Sequence, residues 1–173
     1  MKRFFWPKII SFILVVFFIG LLLWLVNKNF PLSGQLEITG QPGKDLPMLS
    51  RLGPDPRIKL VKDYQIVLDN PVYFDLRSLP WFEKIRIKLI FRPAGRKLDG
   101  IGGQTGPGFQ YDLKKPLLIT DVSGNWQEAI FDFSAAKIYQ QKNVRRFLIS
   151  SSQIDPNIPG ELIIKSLEIS LIR

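Results

Sequence analysis

The chain opens on a run that never alternates. Ile9 to Val26, IISFILVVFFIGLLLWLV, holds eighteen consecutive positions without a charge and with one hydroxyl, Ser11. At about 1.5 Å per residue, a helix of this length spans roughly 27 Å, close to the hydrocarbon thickness of a bilayer. A helix packed at the edge of a small domain keeps a polar face, and this run has none. The pattern predicts one transmembrane α-helix over 9–26. It leaves 1–8 as a short N-terminus, 27–33 as a stalk and 34–173 as one outer domain.

Beyond Pro31 the period changes to two. GQLEIT from Gly34 to Thr39 alternates as a first strand, followed by strand patterns at Tyr64–Leu68, Val72–Leu76 and Lys84–Phe91. The last is the clearest. In KIRIKLIF, Ile85, Ile87, Leu89 and Phe91 share one face, while Lys84, Arg86 and Lys88 share the other. One dry and one wet face mark an antiparallel strand. Further strands are predicted at Asn125–Phe133, Val144–Ser150 and Glu161–Ile172, with one short helical turn over Ser134–Gln141. In the closing strand Ile163, Leu167, Ile169 and Leu171 share a parity that Lys165 interrupts, either as an intruding lysine or through a bulge near Lys165–Ser166. Two stretches rich in Gly or Pro, 40–56 and 92–110, read as irregular; the second is either a binding loop or a plain insertion. No strand is followed by a helical crossover. The fold class expected is mainly β, a two-sheet antiparallel jelly-roll sandwich preceded by one transmembrane helix.

Charge sets the orientation. The chain carries 24 basic and 15 acidic side chains, a formal net charge of +9, and Lys2, Arg3 and Lys8 precede the apolar run with no acid among them. Basic residues stay on the cytoplasmic side, so the N-terminus is expected inside and the C-terminal domain outside the cell membrane. A cleaved signal peptide shares this start, but NKNFPLSGQ after the run lacks a small-x-small site, which favours an uncleaved signal-anchor.

Chemistry is limited by what is missing. With no cysteine and no histidine, the chain has no disulfide, no thiolate metal site and no imidazole general base. Of the ten aspartates, Asp55, Asp69, Asp99 and Asp155 neighbour Gly, Asn or Pro, where a short acid stabilises a turn. GIGGQTGPG from Gly100 lacks the Lys-Ser/Thr ending of a phosphate loop. Lys84, Arg86 and Lys88 beside Trp81 and Phe82 read as a solvated strand face rather than a nucleic-acid site. No enzyme and no nucleic-acid partner is expected.

VYFDLRSLPWFEKIRIKLIF from Val72, NWQEAIFDF from Asn125, RRFLISS from Arg145 and GELIIKSLEISLI from Gly160 occur in an order that resembles the galactose-binding-like jelly-roll domains found among carbohydrate-binding modules. The resemblance implies sugar binding through loops or an aromatic-bearing face. It also implies a structural calcium in many members, for which Glu37 and Glu168, on the first and last strands, are the candidate ligands. Two carboxylates fall short of the oxygen set calcium gathers, so no cofactor is expected. Other members are spacers or assembly subunits.

Aromatic side chains are the better lead. Of Tyr73, Trp81, Phe82, Phe109, Tyr111, Trp126 and Tyr139, the candidates for ligand binding are Trp81, Phe82, Phe109, Tyr111 and Trp126, each also a candidate for the core. The function expected is a membrane-anchored, non-catalytic binding or assembly module that contacts another envelope protein. The alternatives are a carbohydrate-binding module for a cell-surface glycan and a carboxylate-dependent glycan-processing enzyme. Exposed aromatics beside Asn, Gln, Asp or Arg favour the glycan; buried Trp81 and Trp126 with an exposed apolar patch favour the protein partner.

Overall fold

The computed structural model describes residues 5–29 and 34–173, with side chains described for 10–24 within the first helix. The chain divides into two compact units, Met1–Leu36 and Glu37–Arg173. In the first, α1 runs from Phe5 to Asn29, and every described side chain from Ile10 to Trp24 is exposed. Among the described residues no helix is long and apolar enough to cross a membrane. The expected ends of the stalk and of the N-terminus, at 30–33 and 1–4, lie outside the described residues.

Among the described residues twelve strands follow α1: β1 Gln35–Gly40, β2 Ile58–Val61, β3 Tyr64–Val67, β4 Val72–Arg77, β5 Lys84–Ala94, β6 Arg96–Gln104, β7 Tyr111–Lys114, β8 Leu118–Val122, β9 Trp126–Ser134, β10 Gln140–Gln141, β11 Val144–Gln153 and β12 Glu161–Ile172. They form two antiparallel sheets. One has the order β2-β3-β12-β5-β9-β8, with β1 also pairing β12; the other runs β10-β11-β6-β7, with β4 also pairing β11. The expected two-sheet β-sandwich is what forms.

Alternation explains the core. On β5, Ile85, Ile87, Leu89 and Phe91 are buried; on β4, Val72, Phe74 and Leu76 are; on β11, Phe147 and Ile149 are. Phe133 of the seven-stranded sheet meets Phe147 of the other edge-on at 5.3 Å, and Phe147 stacks on Phe74 at 5.4 Å. Aromatic pairs of this kind add ~0.5–1.5 kcal/mol beyond the area they bury.

Of the two readings of Lys165, the bulge is the one that forms. The register of β12 against β5 shifts between Ile164 and Ser166. Leu162 and Ile164 face inward before the shift, and Leu167, Ile169 and Leu171 after it, so Lys165 is the supernumerary residue and stays exposed. Ile163 is therefore out of parity with Leu167, contrary to the strict alternation. The predicted helical turn is a single 3-10 turn, Ala135–Lys137.

The stretch 92–110 corrects the sequence reading. β5 continues to Ala94, and β6 occupies 96–104 as a central strand of the second sheet. Glycine costs strand propensity, but here absent side chains let neighbours approach. A methyl on Gly100 would overlap the carbonyl oxygen of Lys114 on β7. Between the two strands the chain changes sheets at Gly95, whose φ of +88 favours glycine.

Two buried arginines differ in how they are held. Arg96, 4% exposed, donates to the carbonyls of Gly160, Ser151 and Leu68 at 3.4, 3.1 and 2.9 Å. Arg145, 3% exposed, donates to Ser78, and its Nε has no partner among the described residues. Burial lowers its pKa from the ordinary value. Removing a satisfied charged donor that serves three carbonyls is expected to cost ~2–4 kcal/mol, whereas an apolar side chain in place of an uncompensated buried charge is near neutral. Urea denaturation should therefore show Arg96→Met strongly destabilised and Arg145→Met close to the parent or above it. Gly100→Ala should cost ~1–3 kcal/mol by the same measurement, because β6 and β7 must part to admit the methyl.

Candidate functional site

The outward residues of β4 alternate with its core residues, which sends Tyr73 and Asp75 to the outer face of the five-stranded sheet. Antiparallel pairing then sets Arg146 of β11 opposite Asp75. The pair is bidentate: Arg146 Nε donates to Asp75 Oδ1 at 2.7 Å and Nη2 to Oδ2 at 2.9 Å. Such forks are stronger than neutral hydrogen bonds and fix both side chains. Asp75 accordingly raises the Arg146 pKa above its ordinary value.

Around this pair lies a groove of about 600 Å³, lined by Tyr73, Gln104, Phe109, Tyr111, Tyr139 and Gln141 among others. Tyr73 and Tyr111 lean together with ring centroids 6.1 Å apart. Burial pushes the Tyr111 phenol up, with Arg146 pulling the other way. Gly102, between Leu148 and Tyr111, leaves that part of the floor flat. Phe109 stands 88% exposed at the tip of the β6–β7 turn. That turn is closed by Thr105 N–H donating to the Gln110 carbonyl at 2.9 Å and by Gln104 Nε2 donating to the Gly108 carbonyl at 2.8 Å. A second groove of about 310 Å³ shares Tyr73, Asp75 and Arg146 and continues over Ser50, Arg51, Gly53 and Pro54. Aromatic faces, amide side chains and one ion pair thus line an elongated trough.

Of the five aromatic candidates, the structure brings only Phe109 and Tyr111 to this trough. Phe82 is buried at 6%. Trp126 lies on the outer face of the other sheet, roofed by Tyr64 at 5.2 Å, Arg92 at 5.1 Å and Lys165 at 5.5 Å. Under that cover it is buried, at 9% exposure. Trp81 is 46% exposed in the turn before β5, apart from the groove. Tyr73, Tyr139, Asp75, Arg146, Gln104 and Gln141 complete the trough. Alternation in VYFDLR marks Tyr73 and Asp75 as an outward pair, but no local signal places Arg146 or Tyr139 beside them.

The outer face of the seven-stranded sheet is a ladder of charges. Asp132 takes Lys84 Nζ at 2.8 Å and Arg86 Nε at 2.8 Å. Lys88 pairs with Glu168 and, at 3.8 Å, with Glu128. The three strand bases are thus paired with carboxylates. Glu37 and Glu168 do share one groove, of about 250 Å³, with Lys88 in it. The Glu168 carboxylate raises the Lys88 pKa, with weaker help from Glu128 and Glu37. Arg86 lines the same groove beside Lys88, and among the described residues no group of three or more metal-ligating side chains is present.

No family model matches the chain, and no curated protein does. Among solved structures, it is similar to a CBM4 protein, with TM-score 0.41, 10% identity, and 78% of this chain and 86% of that chain covered. It is also similar to the enzymatically active domain of bacteriophage CBA120 tailspike protein 4, with TM-score 0.35, 9% identity, and 82% of this chain and 20% of that chain covered.

The Arg86 guanidinium, seconded by Lys84, holds the Asp132 carboxyl at about 2, below its ordinary 3.8, although burial opposes the shift. A depressed carboxyl adds stability that is present above the unfolded pKa and lost as pH falls through the folded one. The urea midpoint should therefore drop between about pH 4 and pH 2. Asp132→Asn should be less stable at neutral pH, with a shallower decline across that window.

Proposed function

We propose that this chain is a membrane-anchored, extracytoplasmic carbohydrate-binding module of jelly-roll type that binds without turnover. The observation that carries the reading is the trough, in which the inclined Tyr73–Tyr111 pair stands beside the Asp75–Arg146 fork. Aromatic faces suit the apolar faces of pyranose rings. Fixed charged and amide groups beside them suit hydroxyls, which both donate and accept. The elongated shape, from Lys142 past Tyr73 to Pro54, fits several sugar units in a row. Among its described lining residues Asp75 is the one carboxylate. Glycosidases work with two carboxyls across the scissile bond, which favours binding over cleavage.

The anchoring part of the proposal rests on the uniformly apolar run Ile9–Val26, which lies within α1, and on the basic residues preceding it. A water-exposed helix of that composition is costly, and lipid removes the cost.

A second reading is favoured by one feature, the edge strand β8. Leu118, Ile119 and Val122 on it, with Leu117 before it, are 40–67% exposed, and β8 ends its sheet. An exposed apolar edge suits strand addition by another envelope protein.

The test uses the full chain in nanodiscs against a glycan array, followed by calorimetry on any hit. Binding is expected to fall at least about tenfold, ~1.4 kcal/mol, in Tyr73→Ala and Tyr111→Ala with circular dichroism unchanged, and to persist in Trp81→Ala. No binding across a broad panel sinks the glycan reading. Capture of an envelope protein that is lost in Ile119→Lys supports the second.

A further inference from the structure

Trp81 is the aromatic candidate that the trough does not use, and its place in the fold is specific. The turn Leu79–Pro80–Trp81 is pinned from both sides. Ser78 N–H donates to the Asn143 carbonyl at 3.0 Å, and Glu83 N–H donates to the Ile172 carbonyl at 2.9 Å. Phe82 plugs the core at 6% exposure while Trp81 next to it remains 46% exposed. The turn therefore presents the indole on a fixed base.

This is also the end where the chain joins the domain. Gly40 abuts Leu167 of β12, while Glu37 to Thr39 share a groove with Glu168 to Ser170. β1 thus runs antiparallel to β12 and enters beside its last residues. Lys84 opposes Ile172 across β12 and β5 and Ser134 across β5 and β9. The turn 79–82, the 3-10 turn Ala135–Lys137, Asn143 and Arg173 therefore gather at one end of the sandwich. Exposed side chains there include Arg77, Lys137, Lys142 and Arg173, with Glu83 as the accompanying acid.

We infer that this end is a lipid-contact surface: Trp81 enters the headgroup region of the bilayer, and the basic side chains around it meet anionic headgroups. The inference rests on the anchoring reading above. Chain length supports it. The positions between Asn29 and Glu37 reach under ~30 Å when fully extended. β12, with 12 residues, is itself ~40 Å long. On the anchoring reading, that connection holds the point where the chain enters the domain within ~30 Å of the anchor. Tryptophan is enriched at the membrane–water boundary because its ring is amphipathic, and basic residues near an anionic surface each gain ~1 kcal/mol.

The absence of cysteine from the chain makes single spin labels clean probes. Labels at Trp81→Cys, at Lys137→Cys with Trp81 retained, and at Asn157→Cys in the opposite β11–β12 loop would be placed in the full chain. The protein would be reconstituted in phosphatidylcholine–phosphatidylglycerol vesicles. Power saturation is expected to show positions 81 and 137 several-fold less accessible to a water-soluble nickel chelate than position 157. Equal accessibility of all three positions, with the protein still in the vesicles after an alkaline wash, overturns the contact and leaves the anchor standing. Release of the protein by the wash overturns the anchor and the contact together.

Discussion

A two-sheet sandwich closes only if its strands can change sheets without leaving bare backbone inside, and here three crossings converge on one guanidinium. β3 leads to β4 past Leu68, β5 to β6 through Gly95, and β11 to β12 through Gly160. Arg96 donates to the carbonyls of Leu68, Ser151 and Gly160 at that corner. Gly95 and Gly160 meet backbone to backbone, with no room for a side chain on Gly160. In a chain without disulfides, this polar clasp does the stapling that a covalent bridge does elsewhere. A charge spread over three carbonyls suits that task better than an ion pair, since it serves three acceptors that burial has cut off from water.

With the corner closed, the two outer faces are free to differ. The seven-stranded sheet covers its outer face with carboxylate–base pairs and with a tryptophan roofed by Arg92, Lys165 and Tyr64. The five-stranded sheet has glycines at 100 and 102 on its outer side, so neighbouring strands approach and the surface stays low. Aromatic side chains of β4, β7 and the β6–β7 turn rise around that floor and make the trough. The same glycines that weaken β6 as an isolated strand thus shape the surface through which the domain is proposed to bind. Propensity loses to packing here because the partner strand, and not solvent, occupies the space a side chain would take.

The membrane-facing proposals share one physical basis. A rod of apolar side chains and a tryptophan on a rigid turn are each unfavourable in water and favourable at a lipid boundary. The trough lies on a sheet face and the Trp81 turn at a sandwich end, so anchoring, lipid contact and ligand capture draw on different side chains except at Lys142, which stands where the trough meets that end.

What the sequence determined by itself was everything set by local periodicity. Alternation placed Ile85, Ile87, Leu89 and Phe91 inside and Lys84, Arg86 and Lys88 outside. The misplaced Lys165 marked the break in alternation, and the run of strands announced a sandwich. Tertiary structure alone decided the rest. It made a strand of 96–104, because the reason for those glycines is a neighbour distant in sequence. It set Arg146 across from Asp75, because register between β4 and β11 leaves no mark within either segment. It sorted the aromatics, burying Phe82, roofing Trp126 and leaving Phe109 and Tyr111 at the trough, because a ring's exposure depends on what the chain brings over it. Local pattern reports which way a side chain points; only the closed fold decides what it meets.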